Sequence, residues 1–402
     1  VSAGGDALQD NFYHRLVDDA HQALAIMMVI LLSATVSFIV GRRLAWQAAR
    51  AIAFIIMPLL ALFAAQSTTD LNAGFNRIGL IIWPLALAIH YWVMYANDDS
   101  THGDAAPGKW YALAHAVSVW IVVVLAGGAL ARLVSNADLW RTAWASTTLV
   151  VAAVIALALI IMWVAASTAD ANEGESDQHS AWPLRSYLRS YIFIAATPLV
   201  IGTTLGGFAL ALLSDGNAAP LLYIPLLNPV EITVALTIAV GVAWVLLMRR
   251  LGMASRDSSL LGSRSIWIPY VALGFVFIST VWLRIAHHFF AVPWDSDQLF
   301  DSFFVQTGYS ILWSVMGLVM MVLGHRKVKR GLWMLGAALL GLTVAKLFFI
   351  DISNVGGFTR VVAFIGVAIL ILVAGFFAPM PPKLAMSLAD DQNSESSPGN
   401  ES

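Results

Sequence analysis

The chain has 402 residues, of which 59% are hydrophobic and only 11% charged, and its formal net charge is −2. Soluble domains carry about 25% charged residues, so this chain could not cover its apolar surface with water-compatible side chains. The near-neutral balance leaves no electrostatic case for a nucleic-acid partner, and the lack of cysteine excludes disulfides, thiolate nucleophiles and Cys-ligated metals.

Residues 1–21 read VSAGGDALQDNFYHRLVDDAH, with four aspartates and one arginine. This stretch has neither the basic start nor the small-residue cleavage site of a signal peptide, and it reads as an extracytoplasmic segment. Position 1 is Val rather than Met. The expectation is therefore a piece of a longer protein, with one or more helices upstream. From residue 22 the apolar residues come in runs of about twenty, the length that spans a hydrocarbon core of about 30 Å. Hydropathy and loop residues predict helices at 22–40, 46–65, 79–96, 110–131, 143–166 and 190–213. Further helices are predicted at 229–248, 266–290, 304–324, 331–350 and 361–378. The reading is an all-α, polytopic integral membrane helix bundle of about eleven transmembrane helices, occupying residues 22–380. Strands are not expected, because open sheet edges cannot face lipid and no alternating ten-residue segments occur. Residues 381–402 are polar and rich in Pro, Ser and Asn, the composition of a disordered tail.

Loop charge sets the orientation. Alternate loops hold Arg42, Arg43, Arg50, Lys109, Arg185, Arg189, Arg249, Arg250, Arg256, Arg264, Arg326, Lys327, Lys329, Arg330 and Lys383, fifteen cations in all. The intervening loops hold five, Arg15, Arg77, Arg132, Arg141 and Arg360. Under the positive-inside rule the amino terminus lies outside and the carboxy-terminal tail is cytoplasmic. Trp46, Trp110, Trp140, Trp182, Trp267, Trp294 and Trp333 fall near predicted helix ends, as an interfacial aromatic belt does.

Charge inside a bilayer is costly, so each instance calls for a reason. Arg284, His287 and His288 lie in WLRIAHHFF near the outer end of the eighth helix, on roughly one face. Lys346 stands about one turn inside the outer end of the tenth helix, Asp351 marks that end, and Arg360 opens the eleventh. Gln306, Ser310 and Trp313 form a polar stripe on the ninth. Arg suits bidentate binding of carboxylates and phosphates, and His can titrate near neutral pH. The functional reading is an outward-facing pocket of Arg284, His287, His288, Gln306, Lys346, Asp351 and Arg360 for an anionic or lipid-linked ligand such as a lipid phosphate, a glycan acid or a carboxylate. The structural alternative is internal pairing of the cations with Asp351, Asp295, Asp297 and Asp301, with Lys346 snorkelling to the interface. No catalytic residue can be named, and neither a cofactor nor a metal site is expected. Adjacent histidines point about 100° apart on a helix, and no HExxH pair accompanies them.

Other polar positions read as structural. His90 and His115 lie within helices and are expected to hydrogen-bond to neighbours. Asn228, Pro229 and Glu231 match a capping box with Pro at the first helical position. Gly202 with Gly206, and Gly331, Gly336 and Gly341, are expected to allow close helix contact. Pro58 and Pro198 fall mid-helix and could kink it.

The segments WLRIAHHFFAVPW, QTGYSILWSVMGLVMMVLGHRKVKRGLW, LLGLTVAKLFFIDIS and TRVVAFIGVAILILVAGFFAPMPPK occupy about 265–383. They resemble the carboxy-terminal part of the bacterial predicted-membrane-protein family catalogued as domain of unknown function 2339. The likeness rests on the order Arg-x-x-His-His, Gln-x-x-x-Ser-x-x-Trp, basic loop, Lys-x-x-x-x-Asp and Arg. The resemblance implies a multi-pass protein of the bacterial inner membrane, part of a longer chain with more helices, and brings no established activity. Three function classes follow. The first binds or processes an anionic envelope substrate, the second is a scaffold or assembly subunit, and the third is a secondary transporter. Membrane lipids are the partners expected in every case, and the sequence identifies no protein partner.

The orientation has a direct test, because the native chain has no cysteine. A single Cys at Ser258 should be shielded from a membrane-impermeant thiol reagent applied outside, and one at Ser296 should react. The reverse labelling would invert the topology.

Overall fold

A computed structural model describes residues 3–46, 48, 56–76, 78–98, 109–170, 182–252 and 264–347, with a few positions between 365 and 375. Among the described residues every regular element is helical and no strand occurs. The helices are α1 (Ala3–Arg43), α2 (Ile56–Thr69), α3 (Leu71–Gly74), α4 (Gly79–Asn97), α5 (Lys109–Asn136) and α6 (Ala143–Asp170). They continue as α7 (Leu184–Arg189), a π-helical stretch Ser190–Ala195, α8 (Ala196–Leu213), α9 (Pro229–Arg250) and α10 (Ile268–Phe290). Two short connections later follow α11 (Ser296–Asp301), α12 (Phe303–Arg326) and α13 (Arg330–Lys346).

Eight described helices are long and apolar enough to cross a membrane, starting at Gln22, Gly79, Lys109, Ala143, Ser186, Pro229, Ser265 and Phe303. Each coincides with an expected span. Of the other three expected spans, 46–65 is described only as α2, 331–350 ends its described part within α13's last turn, and 361–378 lies almost wholly outside the described residues. The chain is thus a multi-pass membrane protein. The surface fits: Leu149, Leu159 and Met162 on α6 are more than half exposed, while Ala152, Leu157, Ile160 and Val164 on the same helix are buried. Hydroxyl side chains satisfy themselves on their own helices. Thr35 donates to Leu31 O, Thr204 to Val200 O and Thr343 to Leu339 O, each within 2.8 Å.

The chain divides into two compact units, residues 1–280 and 281–402, with the boundary inside α10. In the first unit one cluster gathers Met27, Leu31 and Phe38 of α1 with Leu60 of α2, Trp83 of α4 and Leu125 of α5. A second gathers Leu157 and Val164 of α6, Tyr187 and Ile192, and Trp244 and Met248 of α9. The π-helical stretch ends just before Pro198, whose missing N–H cannot bond the carbonyl four residues back. Indole donors from other helices serve carbonyls there: Trp244 donates to Ile192 O at 2.8 Å and Trp120 to Ala195 O at 3.0 Å. Pro198 therefore joins a π-bulge locked by tryptophans.

Asn228 caps α9 as its sequence suggests, accepting from the Val230 amide at 2.9 Å. Glu231 does not complete a capping box. Its buried carboxylate turns back to the preceding loop and accepts from the Tyr223 hydroxyl and the Leu226 amide.

In the second unit α12 and α13 form an antiparallel hairpin closed by small residues. A Cβ on Gly336 would stand 2.6 Å from Gly317 O and 2.8 Å from the Met321 amide nitrogen. Gly331 and Gly341 meet nothing within 4 Å among the described residues, so of the three glycines only Gly336 shows the expected contact. Likewise Gly206 abuts Val150, whereas Gly202 is open.

Gly336→Ala should therefore destabilise the detergent-solubilised protein by about 1–3 kcal/mol, because the clash is with backbone and forces the helices apart. Gly341→Ala should be neutral or stabilising by up to about 1 kcal/mol, through helix propensity alone. Thermal unfolding of both variants compares the two directly, and equal behaviour would contradict the packing.

Candidate functional site

Of the seven residues singled out in sequence, the second unit's described part holds Arg284, His287, His288, Gln306 and Lys346. Asp351 and Arg360 lie outside the described residues.

The last turns of α10 carry the first group. The helix ends where Ala291 takes a left-handed φ of 56°, and the Val292 amide returns to Ala286 O at 3.3 Å. That reversal brings the Val292 carbonyl to His287 Nδ1 at 2.7 Å. A carbonyl only accepts, so Nδ1 carries the hydrogen and neutral His287 keeps its Nε2 lone pair. The same reversal folds Trp294 over the helix end. Its ring lies 5.9 Å from the Arg284 guanidinium carbon and 5.9 Å from the His287 ring, and His288 stacks edge-on against His287 at 4.8 Å. Arg284 is fully buried, the largest side chain so enclosed, and Trp294 supplies a π-face where water is excluded. Asp295 is exposed and caps α11, accepting from the Asp297 and Gln298 amides.

The second group joins α12 to α13. Lys346 Nζ, nearly buried, donates to Gln306 O and to Ser310 Oγ, each at 3.0 Å. Ser310 in turn donates to Gln306 O at 3.1 Å, and Gln306 Nε2 donates to Phe300 O at 2.8 Å. The polar stripe read on this helix is thus the cradle of an ammonium. Trp313, its third member, instead packs on Tyr309 with ring centroids 5.3 Å apart.

Helices α10 and α13 meet α12 at its first two turns, from different sides. Trp282 of α10 donates to Val305 O at 3.2 Å and lies hard against Gly308. With about 100° between successive residues, Val305 and Gly308 sit about 150° around the helix from Gln306 and Ser310. The structure therefore gathers Arg284, His287 and His288 under Trp294, gathers Lys346 with Gln306, and packs α10 and α13 against α12's amino-terminal end. That end carries partial positive charge from its unbonded N–H groups, capped in part by Ser302 accepting from Val305 N.

Sequence reading took Trp294 for a belt residue and passed over Trp282; no spacing rule reports a chain that folds back through one left-handed residue. It also missed a polar cluster in the first unit. There His90 Nε2 meets Ser118 Oγ at 2.8 Å and His115 Nδ1 meets the Tyr191 hydroxyl at 2.9 Å, so both histidines bond to neighbours as expected. Trp182, another belt residue by sequence, instead donates to Asp98 Oδ2 at 2.9 Å with its ring 5.2 Å from His115. Among the described residues no group of three or more His, Asp or Glu side chains could hold a metal ion.

The Lys346 cradle predicts its own energetics. Ser310→Ala should cost about 1.5–3 kcal/mol, the range for a hydrogen bond to a charged group. In a double-mutant cycle by detergent-phase unfolding, Lys346→Met should remove most of that effect. Additive losses would show that Ser310 does not hold Lys346.

The family model described as Predicted membrane protein (DUF2339) matches residues 11–381. The likeness carried by the last helices thus extends back to the first. No curated protein and no solved structure matches the chain.

Proposed function

Because the chain belongs to the DUF2339 family of predicted membrane proteins, we propose that it is a multi-pass protein of the bacterial cytoplasmic membrane that binds an anionic, lipid-linked substrate at the outer end of its second unit. One observation carries this reading: two enclosed cations, Arg284 and Lys346, stand on the two helices packed against the amino-terminal turns of α12. Positive charge concentrated in a low-dielectric region favours a negatively charged occupant. Arg284 offers a planar donor array for a phosphate or carboxylate. His287, with Nδ1 committed, offers Nε2 as a proton acceptor or, once protonated, as a further donor. His288 and Gln306 flank these groups. Asp351 and Arg360 join the proposal on sequence position alone. The outer placement rests on the loop-charge count, with about eleven spans, the amino terminus outside and the carboxy terminus inside.

A second reading is a membrane scaffold or assembly subunit without catalysis. It is favoured by the two 3.0 Å bonds that make Lys346 a clip between α12 and α13. A secondary transporter is the third class, and it would need a polar site near the midplane.

Native mass spectrometry of protein released from nanodiscs separates the first two readings. The probes are phosphatidylglycerol and a long-chain prenyl phosphate, against phosphatidylcholine. The intact chain should retain an anionic lipid, and Arg284→Gln or Lys346→Gln should weaken retention by roughly tenfold or more, about the 1.5–3 kcal/mol of one charged hydrogen bond. Both variants should still insert and fold. Equal retention of all three lipids would sink the binding reading, and loss of folding in the variants would favour the scaffold.

A further inference from the structure

The connection between α8 and α9 does not have the composition of a loop in water. From Gly216 to Val230 it carries no charged residue. Its tip, residues 221–227, reads LLYIPLL, and Leu221, Leu222, Ile224, Leu226 and Leu227 are each more than half exposed, Leu222 to 88%. Contiguous apolar surface of this kind is uncommon where a protein faces water, and it marks contact with lipid or with another protein.

Hydrogen bonds fix the position of the tip. Its base is tied to the start of α6, where the Ala143 amide donates to Asn217 O at 2.8 Å and the Trp144 indole to Ala218 O at 3.2 Å. On the far side the buried Asn228 donates from its side chain to Gly216 O. Glu231, also buried, then draws the tip back: its carboxylate accepts from the Tyr223 hydroxyl at 2.7 Å and from the Leu226 amide. Glu231 stands in the first turn of α9, so Tyr223 and Leu226 lie close to that turn instead of projecting far beyond the helix end. Trp140 and Arg141, both exposed, stand just before α6, beside the tied base. A tryptophan and a cation together are what the membrane–water interface collects.

Two observations favour lipid over a protein as the occupant. The first is continuity. Leu212 and Leu213 end α8, Ile232 and Leu236 follow on α9, and all four are exposed on helices long and apolar enough to cross the membrane. The tip extends the surface that those spans offer to acyl chains. The second is the backbone. Lipid tolerates irregular chain only where its polar groups are bonded. Ala219 donates to Asn217 Oδ1, Leu221 to Ala218 O, Leu226 to Glu231 and Leu227 to Ile224 O, while Pro220 and Pro225 have no N–H to bond. With these donors spent inside the chain and its hydroxyl committed to Glu231, the tip meets its surroundings mainly through aliphatic side chains.

We propose that residues 221–227 are a lipid-inserted anchor, lying at the boundary of headgroups and acyl chains with the leucines among the chains. The leaflet is the one in which α8 ends and α9 begins, the outer leaflet by the loop-charge count. The boundary is the depth that suits such a loop, because the hydrocarbon centre admits only helices and closed barrels. Held by Glu231 at one end and by α6 at the other, the tip sets the height of the α6, α8 and α9 ends against the membrane surface.

The native chain has no cysteine, so single labels report the depth. Leu222→Cys and, separately, Leu227→Cys carry a bimane fluorophore on the full chain in phosphatidylcholine nanodiscs, and a folding defect in one leaves the other to decide. Ser135→Cys, exposed in the last turn of α5, is the water-facing reference, and Leu149→Cys on α6 the lipid-facing one. Emission at Leu222 and Leu227 should be quenched by phosphatidylcholine brominated near the carbonyl end of its chains, as at Leu149. It should lose the iodide quenching seen at Ser135. Unlabelled Leu222→Cys should also resist a water-soluble maleimide that modifies Ser135→Cys, since apolar surroundings disfavour the thiolate. Iodide quenching or maleimide reaction equal to that at Ser135 would put the tip in water. Protection from both iodide and brominated lipid would show that protein covers it, a second copy or another segment. Either result overturns the proposal.

Discussion

Inside hydrocarbon no water is available to complete a hydrogen bond, so each polar group must find its partner within the chain. This single constraint organises most of what is seen. Threonine and serine hydroxyls turn back to carbonyls of their own helices, and tryptophan N–H groups reach carbonyls along the π-helical stretch. Trp244 on Ile192 O and Trp120 on Ala195 O are the clearest cases, because the irregular backbone they serve would otherwise expose acceptors in the bundle core. The glycines obey the complementary rule. Where a Cβ is missing, a backbone or an aromatic ring comes close, as at Gly336 against Gly317 and at Gly241 against Tyr270.

The same constraint explains what could be read from sequence. Span positions were legible because lipid imposes a length and a composition together, and eight described helices coincide with expected spans. The α9 amino terminus was legible because Asn before Pro is a local signal. Glu231 was only half legible: its position in the first turn was plain, but its partners, Tyr223 and Leu226, depend on how the preceding loop folds. Glycine spacing overstated contact, since Gly202, Gly331 and Gly341 share the pattern of their packed neighbours without a partner to meet.

At the candidate site, residue type was the clear signal. Arg284 and Lys346 stand out in any apolar sequence, and both are enclosed in the fold. Lys346 meets Gln306 and Ser310, the stripe the sequence had marked, whereas Arg284 meets a tryptophan read as a belt residue. Trp294 reaches Arg284 through the reversal at Ala291, and Lys346 is held by the helix that carries Gln306. A one-dimensional pattern fixes a face on a single helix; it cannot say which side of a third helix each neighbour will occupy. Here α10 and α13 reach different sides of α12.

The two polar clusters also answer the constraint in different ways, which bears on what each can do. Lys346 only donates, to the Gln306 carbonyl and to the Ser310 hydroxyl, whose own hydrogen goes to Gln306 O, so its bonds fix geometry. Such bonds hold a group in place and relay no proton. In the first unit the pairs His115–Tyr191 and His90–Ser118 consist of groups that both donate and accept, so their hydrogens can be directed either way without moving a heavy atom. A polar network with fixed donors is suited to holding something, and one with reversible donors to passing something along.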